Sequence, residues 1–267
     1  MKNILLFAHD DTGQEARLQS ALDITRAVDG HLTCLDVERP PVYMADYYTT
    51  AGSMIADIDE HAREVKNATH LKARLEHEDV RWNWIDASGD IADCLTKHAG
   101  LADAVVVNSG VSGSDIVDIR SIATSVAAGV HGAVVAIPES CKRFDVLGKA
   151  IVAWDGSPPA MAAMRAAVPL LALASSVEIF NVDDGSEQRS AEEAASYLSY
   201  YDIHASIRRI KDGLIAADEH IRLECTQIGA AYCVMGTYGH SRFRETLFGG
   251  VTRRMLAKSE IPVVLSH

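Results

Sequence analysis

The sequence contains no apolar run approaching the ~20 residues that a membrane-spanning helix needs. It has no dense Lys/Arg run either, and its formal net charge is −12, which argues against a nucleic-acid surface. The five cysteines (Cys34, Cys94, Cys141, Cys225 and Cys233) are scattered without a CxxC, so they read as free thiols in a reducing cytoplasm. No HExxH, Walker lysine spacing or Ser/His/Asp order is present, and no nucleophile has an evident base. Cys94 and His98 lie one helical turn apart, as metal ligands do, but no further ligands accompany them. The start is unlike a signal peptide: Met1-Lys2-Asn3 leads straight into a strand, and the apolar run ends at His9-Asp10-Asp11. The expectation is a cytoplasmic protein that uses neither membrane nor nucleic acid and is no evident enzyme.

What is present is a large apolar fraction, 48% of 267 residues, enough for one large domain or two ordinary ones. Short apolar runs alternate with helical periodicity. Ile4–Ala8, His31–Val37, Val80–Asp86, Ala104–Val107 and Ala133–Ile137 read as strands. Helices are expected over about 12–28, 55–76, 91–98 and 119–130. A capping box from Thr12 and Glu15 would open the first of these, and Gly30 would close it. After a polar linker, Glu139 to Arg143, the order repeats. Strands fall at 150–154, 177–182, 203–210, 232–235 and 262–265, with helices at 159–173, 191–200, 214–228 and up to about 258.

The two halves align residue by residue. Ala8-His9-Asp10 matches Ala153-Trp154-Asp155, and Leu35-Asp36-Val37 matches Phe180-Asn181-Val182, both at an offset of 145. Asp103–Val107 matches Ala231–Met235 at an offset of 128, so 17 residues are missing between the second and fourth strands of the second half. This is an internal duplication, with domains expected at 1–140 and 147–267. The fold class is α/β: two tandem, doubly wound, parallel five-stranded sheets of Rossmann-like type.

The chemistry gathers in the second half. The strand Tyr232–Met235 is followed by Gly236-Thr237-Tyr238-Gly239, then by Gly249-Gly250-Val251-Thr252 at the start of a helix. Glycine lets backbone approach an anion closely, and a helix N-terminus offers unpaired N–H groups and partial positive charge. Thr252 adds a hydroxyl. In open α/β sheets such a loop lies at the carboxyl ends of the strands, where ligands bind. Asp155 ends the strand facing the same crevice; it could meet a ribose hydroxyl or a phosphate-bound divalent cation, and could make an Asx turn or N-cap as well. Ala153 and Met235 line that crevice. His240, with Arg242 and Arg244, either neutralises phosphate or is solvated.

The spacing of Gly236, Gly239 and Gly249 resembles the ATP-binding signature of the universal stress protein family: Gly, two residues, Gly, nine residues, Gly, then Ser or Thr. Position 250 departs from it, because Gly250 keeps the backbone N–H but lacks the hydroxyl. The chain as a whole resembles a tandem member of that family. The resemblance implies ATP, with or without Mg²⁺, bound by Ala153, Asp155, Val182, Met235, Gly236, Gly239, His240, Gly249, Gly250, Val251 and Thr252. Val182 matches the position whose backbone meets the adenine. The implied role is regulatory or protective, with a protein partner not named by the sequence. The alternatives are slow ATP hydrolysis or nucleotidyl transfer, a nucleotide-free interaction module, or a flavin carrier. Single-domain members dimerise through their last strand, so the two halves are expected to pair as an internal pseudo-dimer through Ala133–Ile137 and Pro262–Leu265, with homo-oligomers as a further option.

The first half lacks this chemistry. Asn108-Ser109-Gly110 stands where the glycine loop begins, and Arg120 and Ala123 replace the helix-start glycine and the threonine. Gly110 and Gly113 remain. That half is expected to be structural, or to bind something else through the aromatic stretch around Tyr47-Tyr48.

Overall fold

The structure, a computed structural model, describes residues 1–38, 50–110, 119–183, 188–211, 215–237 and 250–267, with backbone only for 50–61 and 119–121. The first half runs β1 (Asn3–Ala8), α1 (Gln14–Ala27), β2 (His31–Glu38), α2 (Thr50–Leu75), β3 (Arg81–Ser88), α3 (Ile91–His98), β4 (Ala104–Gly110), α4 (Ile119–Gly129) and β5 (Ala133–Pro138). The second half runs β6 (Lys149–Ala153), α5 (Pro158–Leu171), β7 (Ser176–Val182), α6 (Ala191–Ser199), β8 (Ala205–Ile210), α7 (Ala217–Ile228), β9 (Ala230–Gly236), α8 (Gly250–Lys258) and β10 (Val263–Ser266). Helix α2 has 26 residues and α6 only nine. That difference accounts for the 17 residues missing from the second repeat.

Among the described residues, ten strands form one sheet in the order β3-β2-β1-β4-β5-β10-β9-β6-β7-β8. Within each half the pairing is parallel. The halves meet where β5 and β10 run antiparallel, with Val264 opposite Val135 and Leu265 opposite Val134. Ala133 through Ile137 and Val263 through Leu265 are fully buried, which is why these segments read as continuous apolar runs. Each Val or Leu so buried contributes roughly 1.5–3 kcal/mol. The outer strands β3 and β8 instead alternate exposed and half-buried positions, with Arg81, Arg208 and Arg209 on the edges, a charge pattern that discourages further strand pairing.

One layer of core lies under α1, α2, α5 and α6 and the other under α3, α4, α7 and α8. Tyr232 on β9 packs against Phe144 of the connecting segment, whose N–H donates to Asp23 at 2.9 Å. Segment 139–148 is thus anchored to α1. Among the described residues no helix is long and apolar enough to cross a membrane.

Two local expectations need correction. No capping box opens α1: its N-cap is Gly13, without a side-chain bond. Glu15 is committed to Arg74 of α2 through bonds of 2.6 and 3.0 Å, and Asp11 takes the capping task by accepting from the Gly13 N–H. At the other end, Asp29 and not Gly30 adopts positive φ (44°). Gly30 is required for another reason, since a Cβ there would lie 2.8 Å from the Lys2 carbonyl oxygen.

Candidate functional site

In each half the chain passes from the first strand to one side of the sheet and later returns to the other. The switch points therefore lie between β1 and β4 and between β6 and β9. At the second, Ala153 is in register with Met235 and with Phe180. Both Ala153 and Met235 are buried, and Val182 is half-buried at the end of β7. Gly236 ends β9 directly against the start of α5: a Cβ would lie 2.6 Å from the Pro159 carbonyl carbon and closer still to the Ala160 nitrogen. The missing side chain is what lets the two elements meet. Thr237 fixes the exit of β9, its N–H and hydroxyl both donating to the Ser266 carbonyl at 2.9 and 3.1 Å.

Asp155 makes the Asx turn. Its Oδ1 accepts from the Ser157 N–H at 2.9 Å, and Ser157 in turn caps α5, its Oγ accepting from the Ala160 N–H. Gly156 has φ of 70° and lies against the backbone of Arg189, so the turn is roofed by segment 188–190. Trp154 secures that roof by donating from Nε1 to the Arg189 carbonyl at 2.8 Å. Helix α8 begins at Gly250, beside the end of β9: the buried Thr252 donates from Oγ1 to the Gly236 carbonyl at 3.5 Å. The structure thus brings Ala153, Asp155, Val182, Met235, Gly236, Gly250, Val251 and Thr252 to one edge of the sheet. Gly239, His240 and Gly249 lie outside the described residues, as do Gly113, Tyr47 and Tyr48.

The first-half switch point is built differently. Asn108, in the place of Gly236, and Arg17 of α1 fill it. Both are fully buried. The guanidinium donates from Nε to the Phe7 carbonyl at 2.6 Å, from Nη2 to the His9 carbonyl at 2.9 Å, and from Nη1 to both oxygens of Asp11 and to Asn108 Oδ1. Asn108 in turn donates from Nδ2 to the carbonyls of Gly13 and Ile137. Burial works against the charge on Arg17, and the Asp11 carboxylate opposes that effect. Sequence reasoning missed this network. The available signal was a cation at position 17 on the same helical face as Ala21 and Ile24.

Beside it, His9 Nδ1 lies 2.9 Å from Glu64 of α2, which also accepts from the Asp10 N–H. Asp36, in register with Asp86 on the neighbouring strand, faces the same side. Burial, then the Glu64 and Asp86 charges, push Asp36 up to about 6. Despite these carboxylates, no group of three or more His, Cys, Asp or Glu among the described residues is arranged to hold a metal ion. A cleft of about 460 Å³ lined by Asp103, His131, Arg165 and Pro169 shares no residue with either switch point.

No protein-family model matches the sequence, and no curated protein does so significantly. Solved structures do. A universal stress protein from Archaeoglobus fulgidus DSM 4304 superimposes with a TM-score of 0.73 at 15% identity, covering 99% of this chain and 97% of that one. A putative universal stress protein from Pseudomonas aeruginosa UCBPP-PA14 gives 0.59 at 15% identity, covering 100% of this chain and 93% of that one. The chain therefore has the universal stress protein fold, present twice in tandem.

Proposed function

We propose that the chain is a tandem universal stress protein that binds ATP in its second half and acts as a regulatory or protective protein rather than a metabolic enzyme. The observation that carries this reading is the contrast between the two switch points. In the first, Arg17 and Asn108 form a sealed polar network. In the second, the matching positions are Ala163 and Gly236, and the crevice is bounded by Ala153, Met235 and the first turn of α8. Neither residue puts a polar side chain there as Arg17 and Asn108 do, and the start of α8 supplies donors and partial positive charge for an anion. Asp155, held in its turn by Ser157, stands at the same edge for a ribose hydroxyl or a cation bound to phosphate.

Five unpaired thiols suit a reducing, cytoplasmic setting. We assign the β5/β10 seam the part that a dimer contact plays between single copies of this fold, and leave the outer surfaces for a protein partner or for further copies of the chain. The test is calorimetry with Mg-ATP on the full chain, with mass spectrometry of any co-purified small molecule. One ATP per chain is expected, and Gly249→Val should abolish it without unfolding the protein. Two equivalent sites, or none, would overturn the reading. Phosphate release with excess Mg-ATP would move it towards an ATPase.

A further inference from the structure

The first turn of α8 carries a feature that the glycine spacing does not explain. Gly250 is exposed, yet a Cβ built there would lie 2.7 Å from Nη1 of Arg254 and 3.5 Å from Nη2. The Arg254 side chain thus folds back over the helix start and occupies the space that a side chain at 250 would need. Its Nε donates to Asp218 Oδ1 at 2.5 Å. Asp218, in the first turn of α7, has a side chain only 3% exposed, whereas that of Arg254 is 42% exposed. A buried carboxylate therefore grips one edge of the guanidinium, and the partly exposed side chain lies over the start of α8. The adjacent Arg253 is exposed and has no such anchor in the described contacts.

We propose that Arg254 is a specificity-determining residue that reads the terminal phosphates of the nucleotide. The proposal rests on the nucleotide reading above. A guanidinium carries five N–H donors in a fixed plane. With Nε spent on Asp218, Nη1 and Nη2 keep four, in the fork geometry that matches two phosphate oxygens. The grip of Asp218 orients that fork before ligand arrives, so less side-chain entropy is lost on binding. Gly250 is the residue that permits the arrangement. The site should therefore prefer a nucleotide by its phosphate charge, with the nucleoside part contributing equally whether Arg254 is present or not.

The test measures ATP and adenosine affinities by calorimetry on the full chain. Arg254→Gln alone would strand the buried Asp218 charge, so the variant to use is Asp218→Asn with Arg254→Gln, checked for folding by circular dichroism. Arg253→Gln serves as the matched surface control. The double variant should lose ~10–100-fold in ATP affinity, the range for charge-assisted hydrogen bonds, and keep its adenosine affinity. Arg253→Gln should change neither. Unchanged ATP affinity in the folded double variant, or an equal loss for adenosine, would overturn the role given to Arg254. If the wild-type protein takes neither ligand, the nucleotide reading falls first and this proposal with it.

Discussion

Replacing Arg17 by Met tests whether the first-half network is the keystone that its geometry implies. Methionine keeps the apolar stem and removes the guanidinium. The Phe7 and His9 carbonyls and Asn108 Oδ1 then lose a donor, and the Asp11 carboxylate, with a side chain only 7% exposed, loses its counter-charge. Breaking a buried ion pair from one side costs about 3–5 kcal/mol, because the remaining charge stays desolvated. For a chain of this size 1 kcal/mol shifts the melting temperature by roughly 2–4 °C, so a fall on the order of 10 °C is expected. Adding Asp11→Asn should recover part of the loss by removing the stranded charge, while the new amide oxygen can still accept from the Gly13 N–H as the Asp11 carboxylate does. Urea unfolding followed by tryptophan fluorescence and circular dichroism gives both values. If Arg17→Met costs less than about 1 kcal/mol, or if Asp11→Asn makes it worse, the pair is not holding the switch point together.

Other outcomes follow from the same physics. Asp36 is raised from its ordinary 3.8 to about 6, so the native state holds a proton that the unfolded state has released. Its penalty is fully present above pH 6 and fades as pH falls towards 4. Asp36→Asn should therefore stabilise the protein at pH 8, by up to about 2 kcal/mol after a discount for solvent screening of a half-buried side chain, and make little difference at pH 4; unfolding curves at the two pH values check this. Gly236→Ala should force the start of α5 away from β9 and cost about 1–3 kcal/mol as overpacking, read as a drop in the urea midpoint. ATP at about a hundred times its dissociation constant should add ~2.7 kcal/mol of apparent stability to the wild-type protein. A thermal-shift series with Mg-ATP would show no trend if the second half binds no nucleotide.

Much of the fold was legible because both strand types leave plain marks. Buried strands such as Val134–Ile137 and Val263–Leu265 are unbroken apolar runs, and the edge strand Arg81–Ser88 alternates. The offset of 145 at the second strands identified the repeat, but strand register puts the first strands at 146, with Ile4 answering Ala150 and Ala8 answering Trp154; the shortened helix α6 lay where the missing residues required it. Gly236 was legible as a place of close backbone approach, and the structure gives that approach to the start of α5, which leaves no room for a Cβ. What escaped were side chains that reach across elements. The pattern Thr12…Glu15 is a sound capping signal locally, but Arg74, 59 residues away, claims the carboxylate. Arg17 looked like any helical arginine until α1 was laid on β1 and β4. Arg254 gave a fainter sign, a glycine four residues before it in the first turn of a helix.

The two switch points show how one backbone can be turned to two ends by a pair of exchanges. Asparagine in place of glycine at the end of the fourth strand fills the space against the start of the first helix, where a Cβ at Gly13 would lie 2.7 Å from the Asn108 side chain. Arginine in place of alanine four residues further along that helix then finds carbonyl oxygens, a carboxylate and an amide within reach. Each change alone would be costly. Asn108 without Arg17 leaves an amide oxygen buried without its donor, and Arg17 opposite a glycine has one acceptor fewer and a void beside it. Together they close the crevice with the protein's own hydrogen bonds. In the partner half, with Ala163 and Gly236, the helix packs directly on the strand and a cation, Arg254, lies over the start of α8. The proposed division of labour between the halves rests on this asymmetry, and the β5/β10 seam makes them neighbours in one sheet.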